Sequence, residues 1–217
     1  MKRTPLSLCM VVNLTVASFA QSFVDTFDEN VLGWTECYVH DNGSSIIDKG
    51  VLTLVSKGEN KVAGSLISFL TGVSTTVGEN TIFETHCYAP IDVKKPFEVI
   101  ANVRIDKLSK DRICGFILNY RDNGNFYCFN FNNETVNFSR FENGYLVGNI
   151  MQGITWPTNK KINHEWKLIC DGDEIRFIVN GVDIFKVKHM PVDYSGIGFC
   201  SFGKQTLVIE DITFTQI

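Results

Sequence analysis

The sequence is poor in proline, in charged residues and in clusters of basic residues. Only five of its 217 residues are proline, and charged residues make up 20%, whereas disordered chains are rich in charge and poor in aromatics. The formal net charge is −4, while binding to a nucleic-acid backbone requires clustered Lys and Arg. The composition therefore excludes a disordered chain and argues against a nucleic-acid partner, and the length suits one sizeable domain.

Several motifs of enzymes and metal sites are also missing. The chain has no CxxC pair, HExxH, GxSxG, phosphate loop or dinucleotide fingerprint. The paired-glutamate signature ExDxxE of jelly-roll endoglucanases is absent as well. Glu210 and Asp211 are adjacent on a predicted strand, so their side chains point to opposite faces. They cannot form the carboxylate pair that an ordinary glycosidase needs.

The first twenty residues are predicted to be a cleaved secretory signal peptide. Lys2 and Arg3 precede an apolar stretch, which ends in the small-residue sequence Ala-Ser-Phe-Ala before Gln21. The stretch is shorter than the roughly 20 apolar residues of a membrane span, so we expect no membrane insertion. Cleavage leaves 18 basic and 24 acidic residues, a net charge of −6. We expect residues 21–217 to form one domain that is secreted or periplasmic.

Short alternating segments dominate the rest of the chain. They are rich in Phe, Ile, Val and Tyr, lie about 8–12 residues apart and are separated by turn signals, which is typical of an all-β sandwich. No alternation of strands with helices is present, which argues against a parallel sheet. The predicted strands are Ser22–Phe27, Gly50–Val55, Phe97–Ile105, Ile113–Tyr120, Phe126–Phe131, Val136–Phe141, Glu165–Cys170, Ile175–Val179, Val182–Val187, Gly196–Phe202 and Thr206–Thr215.

Two of these segments form predicted meanders with one apolar face each. A type I′ turn at Asn123-Gly124 pairs Leu118 with Phe129 and places Tyr120 on the core face. The opposite face of this meander then carries Ile117, Asn119, Arg121, Phe126, Cys128, Asn130, Asn137, Ser139 and Phe141. In the second meander the core face carries Trp166, Leu168, Cys170, Ile175, Phe177, Val179, Val182 and Ile184, whereas Phe185 falls on the other face. Two such faces packed together make a sandwich.

Six cysteines remain after the predicted cleavage: Cys37, Cys87, Cys114, Cys128, Cys170 and Cys200. An even count in an exported chain suggests disulfides, but a domain of this size does not depend on them. Alternation places Cys114 and Cys170 in the core and Cys128 opposite Asn119 and Ser139, away from another cysteine. We therefore expect most of the cysteines to be free and packed as small apolar residues, and a Cys37–Cys87 bridge stays open.

The order of motifs resembles a known group of β-sandwiches. The segments concerned are Gly115–Asp122, Asn125–Phe129, Trp166–Leu168, Ile175–Gly181, Gly196–Phe199 and Ile209–Phe214. From Phe23 to Phe214 the chain resembles concanavalin A-like jelly-roll domains of the LamG-like kind. It is also similar to the 3-keto-disaccharide hydrolase-like domain of secreted bacterial proteins. The resemblance implies a two-sheet antiparallel jelly-roll sandwich, a fold that hosts lectins, glycosidases and adhesion modules.

Carbohydrate binding is the function that the non-core face of the first meander favours. A sugar site combines an aromatic surface for the C–H face with polar side chains for the hydroxyls. The candidate ligand-binding residues are Asn119, Arg121, Phe126, Asn130, Asn137 and Phe141, and an ordinary solvent-exposed face explains them equally well. Trp34 is expected in the core, and Trp156 lies in a loop that sequence alone does not assign.

The leading prediction is an exported glycan-binding protein without catalytic activity. Two alternatives stay open: a glycoside hydrolase of the 3-keto-disaccharide hydrolase kind and a protein-interaction or adhesion module. No organic cofactor is expected. A structural calcium ion is a minor hypothesis, because Ca²⁺ takes several oxygen ligands and Asp25, Asp28, Asn30 and Asp211 come together if the first and last strands pair.

Overall fold

Two antiparallel β-sheets make up the described part of the protein. The computed structural model describes residues 21–40, 43–57, 83–106, 108–154 and 163–217, so the predicted signal peptide and Trp156 lie outside the described residues. In these ranges every regular element is a strand. The fifteen strands are β1 (Ser22–Asp25), β2 (Cys37–His40), β3 (Gly43–Asp48), β4 (Val51–Ser56), β5 (Phe83–Tyr88), β6 (Phe97–Ile105), β7 (Ile113–Asp122), β8 (Asn125–Phe131), β9 (Thr135–Glu142), β10 (Tyr145–Gly153), β11 (Asn163–Cys170), β12 (Glu174–Val179), β13 (Val182–Lys188), β14 (Gly196–Phe202) and β15 (Gln205–Gln216).

The two predicted meanders lie in different sheets. The nine-stranded sheet has the order β13-β12-β11-β6-β15-β4-β3-β2, with β1 paired to β15. The six-stranded sheet has the order β10-β9-β8-β7-β14-β5. The first and last strands pair as expected, with Asp25 opposite Ile212. Among the described residues no helix could cross a membrane.

The core lies between the sheets and is rich in aromatic rings. Trp166 and Phe177 of the nine-stranded sheet meet Phe116 and Phe131 of the six-stranded sheet, with ring centroids 5.1–5.9 Å apart. Burying each such side chain contributes about 1.5–3 kcal/mol. Trp34 is also in this core, as predicted, and stacks on Phe199.

Two-residue turns with positive φ close several hairpins. Asn180-Gly181 has φ values of 51° and 74° and Asn143-Gly144 has 51° and 81°, which suits a type I′ turn. A two-residue turn also forms at Asn123-Gly124, since Asp122 pairs with Asn125. Neither of its central residues has a positive φ, so the predicted type I′ geometry is wrong there.

A bulge in β7 changes the predicted register of the first hairpin. Leu118 pairs with Tyr127 instead of Phe129, because the pairing shifts between Leu118 and Asp122. Two extra residues of β7 are accommodated there, and Asn119 takes the left-handed conformation with φ 56°. Tyr120 is therefore turned out of the main core into a separate cluster on the other side of the sheet, which corrects its predicted core position.

A second bulge corrects the predicted position of Phe185. The pairing of β12 with β13 shifts between Phe177 and Ile178, so that Phe185 lies directly opposite Phe177. Phe185 is buried in the main core, only 6% exposed, whereas Val182 at the start of β13 is 44% exposed. A single extra residue in an alternating strand moves a side chain to the other face.

The cysteines in the described part of the chain are mostly buried thiols. Cys87, Cys114, Cys128, Cys170 and Cys200 are free and buried, as predicted for most of them, so Cys87 forms no bridge. Cys128 lies opposite Ile117, not Asn119, and its Sγ is 3.4 Å from that of Cys200. Their strands β8 and β14 both pair with β7. Their backbones are therefore about two strand spacings apart, too far for a disulfide.

Candidate functional site

The face of the six-stranded sheet that points away from the main core carries the candidate site. We call it the outer face. A second apolar cluster lies on it, formed by Ile117, Tyr120, Phe126, Cys128, Phe141 and Cys200, with Leu146 packed alongside. Alternation along β7, β8 and β9 explains this second cluster, because every other residue of these strands faces away from the sandwich interior.

Aromatic rings form a continuous row along the outer face. The row consists of Tyr88, His86, Tyr120, Phe126 and Phe141, and we call it the aromatic row. The centroid distances between successive rings are 6.4, 3.8, 6.2 and 4.8 Å. Tyr88, at one end, is 57% exposed, whereas Phe126 and Phe141 are 3% and 2% exposed. Only the Tyr88 end of the row therefore offers ring surface to a ligand in this state.

Glycines in β14 allow the two halves of the row to meet. His86 belongs to β5 and Tyr120 to β7, and β14 lies between them. Gly198 pairs with His86, and Gly196 pairs with Tyr120. Because neither glycine places a side chain on the outer face, the imidazole and the phenol ring stack above β14.

Arg121 lies beside the exposed end of the aromatic row. Its Nε donates to Asp122 Oδ2 at 2.8 Å, and its guanidinium carbon lies 5.9 Å from the ring centroid of Tyr194, which is 41% exposed. Hydrogen bonds from Asn125 and then from Arg121 lower the pKa of Asp122 to about 2. The backbone oxygen of Arg121 accepts a long hydrogen bond from the Tyr88 hydroxyl at 3.5 Å. Arg121 thus joins two exposed tyrosines into one patch.

The Asn119 side chain holds the Tyr194 part of this patch by hydrogen bonds to the backbone of that segment. Its Oδ1 accepts hydrogen bonds from the backbone N–H groups of Asp193 (2.7 Å) and Tyr194 (2.9 Å). The ligand-binding role of Asn119 stays a prediction, and its side-chain oxygen already holds the Tyr194 segment. The bulge in β7 places it there.

Asn130 and Asn137 are side by side on the outer face, opposite each other in the β8–β9 pairing. Each is 1% exposed. The Nδ2 of Asn137 donates to Ser139 Oγ at 3.0 Å, and Ser139 Oγ donates in turn to Asn149 Oδ1 at 3.2 Å. Together with Phe126 and Phe141, which are also opposite each other, they are brought onto one surface as the sequence analysis predicts. A ligand role for these residues stays a prediction.

Glu84 and His86 are site residues that the sequence analysis missed. Both lie on β5, which was not among the predicted strands. Burial raises the pKa of the Glu84 carboxyl from 4.5 to about 7 and lowers the pKa of His86. A period-2 pattern in the sequence could have predicted this strand: Phe83, Thr85 and Cys87 alternate with Glu84, His86 and Tyr88. The pattern is weak, because Thr85 is polar on the apolar side and Tyr88 is aromatic on the polar side.

The predicted calcium ligands do not converge in the structure. Asp25 and Asp211 lie on opposite faces of the nine-stranded sheet, because Asp25 pairs with Ile212, the neighbour of Asp211. The Asp25 carboxylate accepts from Trp34 Nε1 and Phe27 N, whereas Asp211 accepts from Asn102.

The other two members of the predicted set also have protein partners. Asp28 accepts from Thr26 at 2.8 Å, and Asn30 exchanges hydrogen bonds with the Trp34 backbone. Within the described residues no group of three or more His, Cys, Asp or Glu is placed to hold a metal ion. Calcium binding therefore stays a prediction that only a solution measurement tests.

Comparison with solved structures identifies the fold as a concanavalin A-like jelly roll. Neither a family model nor a curated protein matches the sequence. The chain is similar to a β-glucanase of Bacillus licheniformis, with 12% identity, 90% of this chain and 98% of that chain covered, and a TM-score of 0.56. It is also similar to an endo-β-1,3-glucanase of Pyrococcus furiosus, with 14% identity, 89% and 93% coverage, and a TM-score of 0.57.

A third similar structure is a prokaryotic β-1,3-1,4-glucanase from a mouse hindgut metagenome. It shares 10% identity, with 90% of this chain and 99% of that chain covered, and a TM-score of 0.57. At these identities the likeness establishes the two-sheet jelly-roll fold, as the sequence resemblance implied.

Proposed function

We propose that this chain is an exported carbohydrate-binding protein without catalytic activity of its own, and that its ligand binds on the outer face. The observation that carries the proposal is the aromatic row, which begins at the exposed ring of Tyr88 and has Arg121 and Tyr194 beside it. Aromatic rings bind the C–H faces of sugars, and a flanking Arg and amides bind hydroxyls. The glucanases that share the fold act on glucans, which supports a carbohydrate as the ligand class.

The two ends of the aromatic row have different roles in this proposal, because one end is exposed and the other is buried. The exposed tyrosines and Arg121 make the first contact with a sugar. Phe126 and Phe141 pack on each other and stabilise the part of the outer face next to the residues that contact the sugar. A longer ligand reaches Asn130 and Asn137 only if the outer face opens on binding, because both side chains are shielded from solvent.

A glycan array with the purified chain, residues 21–217, tests the proposal. We expect binding to at least one class of oligosaccharide, and we expect the binding to be lost when soluble oligosaccharide of the same class competes. Absence of binding across a broad panel, with a chain that shows a cooperative melting transition, would overturn the proposal. Binding to proteins but not to glycans would instead favour an adhesion module.

Glycoside cleavage is the second candidate function, and Glu84 is the observation that favours it. A carboxyl group with a pKa of about 7 suits a general acid near neutral pH. Turnover of a 3-keto glycoside that is lost in Glu84→Gln would establish the hydrolase. Turnover that survives this substitution would remove Glu84 from the reaction.

A further inference from the structure

Several polar atoms on the outer face have no hydrogen-bond partner. Asn130 Oδ1, Asn137 Oδ1 and His86 Nδ1 are buried and unpartnered. A buried polar atom without a partner is costly, because it has given up water without replacement. The three atoms lie on one face of one sheet and therefore indicate what kind of group a ligand must bring.

The two asparagines are oriented by their own donors. Asn130 Nδ2 donates to Cys128 Sγ at 3.4 Å, and Asn137 Nδ2 donates to Ser139 Oγ at 3.0 Å. Cys128 and Ser139 are themselves opposite each other, so both amide nitrogens turn toward the same end of the hairpin. The two residues are directly opposite each other, with Cβ atoms about 5 Å apart, and each carries an unpartnered amide oxygen.

His86 presents a second kind of unpartnered atom. Burial lowers the pKa of its imidazole, and its Nε2 lies 3.3 Å from Thr35 Oγ1. The other ring nitrogen, Nδ1, has no partner. A hydroxyl group satisfies Nδ1 in either tautomer, because a hydroxyl both donates and accepts.

Glu84 adds a carboxyl group in the same row of the sheet as the asparagines. Glu84 pairs with Cys200, Cys200 with Gly115, and Gly115 with Asn130, and residues opposite one another share a face. No described cation pairs with Glu84. Arg121 lies beside the exposed end of the aromatic row, and its Nε is already bound to Asp122.

We infer that the outer face selects neutral, hydroxyl-rich glycans and rejects glycans that carry carboxylate or sulfate groups. This inference rests on the proposed function. When the outer face opens on binding, ligand hydroxyl groups supply the hydrogen-bond partners that Asn130, Asn137 and His86 lack. An anionic sugar would instead meet two amide oxygens and the Glu84 carboxyl there, while Arg121, at the exposed end of the aromatic row, already has Asp122 as its counter-ion.

The test compares a neutral oligosaccharide with its uronic-acid counterpart of equal length and linkage by isothermal titration calorimetry at pH 8. We expect the uronate to bind about tenfold more weakly or worse, since like charges brought together oppose binding. Equal or tighter binding of the uronate would overturn the inference while leaving glycan binding intact. Binding of neither ligand, nor of any array glycan, would overturn the proposed function and the inference with it.

The pH dependence supplies a second readout that needs no variant. Glu84 is charged above pH 7 and neutral below it, whereas a uronate stays ionised, since carboxylic acids ordinarily have a pKa near 4. Uronate affinity should therefore rise as the pH falls from 8 to 6, and neutral-glycan affinity should change little. In Glu84→Gln the rise should vanish, and in the control Glu165→Gln, on the other sheet, it should persist. A rise that is unchanged in Glu84→Gln would contradict the role of this carboxyl.

Discussion

The imidazole of His86 stacks on the phenol ring of Tyr120, with 3.8 Å between the ring centroids. The two residues belong to strands that do not pair with each other, and they meet above the glycines of β14. This contact connects the exposed Tyr88 end of the outer face with the buried Phe126 and Phe141. The site is therefore a property of the assembled sheet and not of one hairpin.

Substitution of Gly198 should disrupt this contact. An added Cβ at Gly198 would come within 2.1 Å of the Thr85 backbone oxygen and 2.9 Å of the His86 Cβ. We expect Gly198→Ala to lower the free energy of unfolding by about 1–3 kcal/mol, measured by urea denaturation. Gly153→Ala is the matched control, because its nearest neighbour is 4.0 Å from the added Cβ. Equal stability of the two variants would show that β5 and β14 adjust freely.

The pH dependence of stability should report on Glu84. Burial raises the pKa of its carboxyl to about 7 in the folded protein, above the ordinary 4.5. The folded state then binds the proton more tightly, so this contribution to stability is complete below pH 4.5 and is lost as the pH rises through 7. We expect Glu84→Gln to match the parent at pH 4.5 and to exceed its free energy of unfolding at pH 8 by about 1–3 kcal/mol. A pH-independent difference would contradict the raised pKa.

Asp25 should stabilise the fold through Trp34 and not through a metal. Its carboxylate accepts the indole N–H at 2.9 Å and the Phe27 N–H at 3.0 Å. Asp25→Ala leaves two donors without their acceptor and should cost about 2–4 kcal/mol, whereas Asp28→Ala, whose hydrogen bond is exposed, should cost less than about 1 kcal/mol. Because the carboxylate is already used, EDTA should leave Tm unchanged. A calcium-dependent rise in Tm would instead support the calcium hypothesis.

The buried cysteines should be unreactive in the native protein. Burial raises the pKa of the Cys87, Cys114 and Cys170 thiols well above their usual range, and the thiolate is the reactive form. Iodoacetamide at pH 8 followed by peptide mass spectrometry should find these three unmodified in the native protein and alkylated in guanidinium chloride. Native alkylation of Cys114, which is 0% exposed, would contradict its place in the core.

Much of the sandwich could be predicted, because apolar and polar residues alternate in sequence wherever a strand is regular and has one face in the core. The β8–β9 pairing of Phe129 with Phe138 follows from alternation and turn position alone. The position of Tyr120 could not be predicted, because the bulge at Asn119 depends on hydrogen bonds to Asp193 and Tyr194, more than seventy residues away. Phe185 was misplaced because the pairing of β12 with β13 shifts between Phe177 and Ile178, and alternation alone does not show such a shift.

The candidate site was only partly predictable. Phe126, Phe141, Asn130 and Asn137 share a face by local geometry, which the sequence analysis used. Their burial could not be predicted, because the second apolar cluster forms only when residues of several strands come together. Glu84 and His86 reach the site through a strand that pairs across a long sequence separation, with Gly198 opposite His86, and no local pattern encodes that partnership.

The most direct test of glycan binding on the outer face compares two exposed tyrosines at opposite edges of the same sheet. Tyr88 on β5 is 57% exposed and Tyr145 on β10 is 52% exposed. The ligand is the oligosaccharide that binds most tightly on the array. Titration calorimetry should give a Kd about tenfold higher for Tyr88→Ala and for Arg121→Ala than for the parent. The Kd of Tyr145→Ala should equal that of the parent. Unchanged affinity in both Tyr88→Ala and Arg121→Ala, or a loss confined to Tyr145→Ala, would contradict a binding site at the Tyr88 end of the outer face.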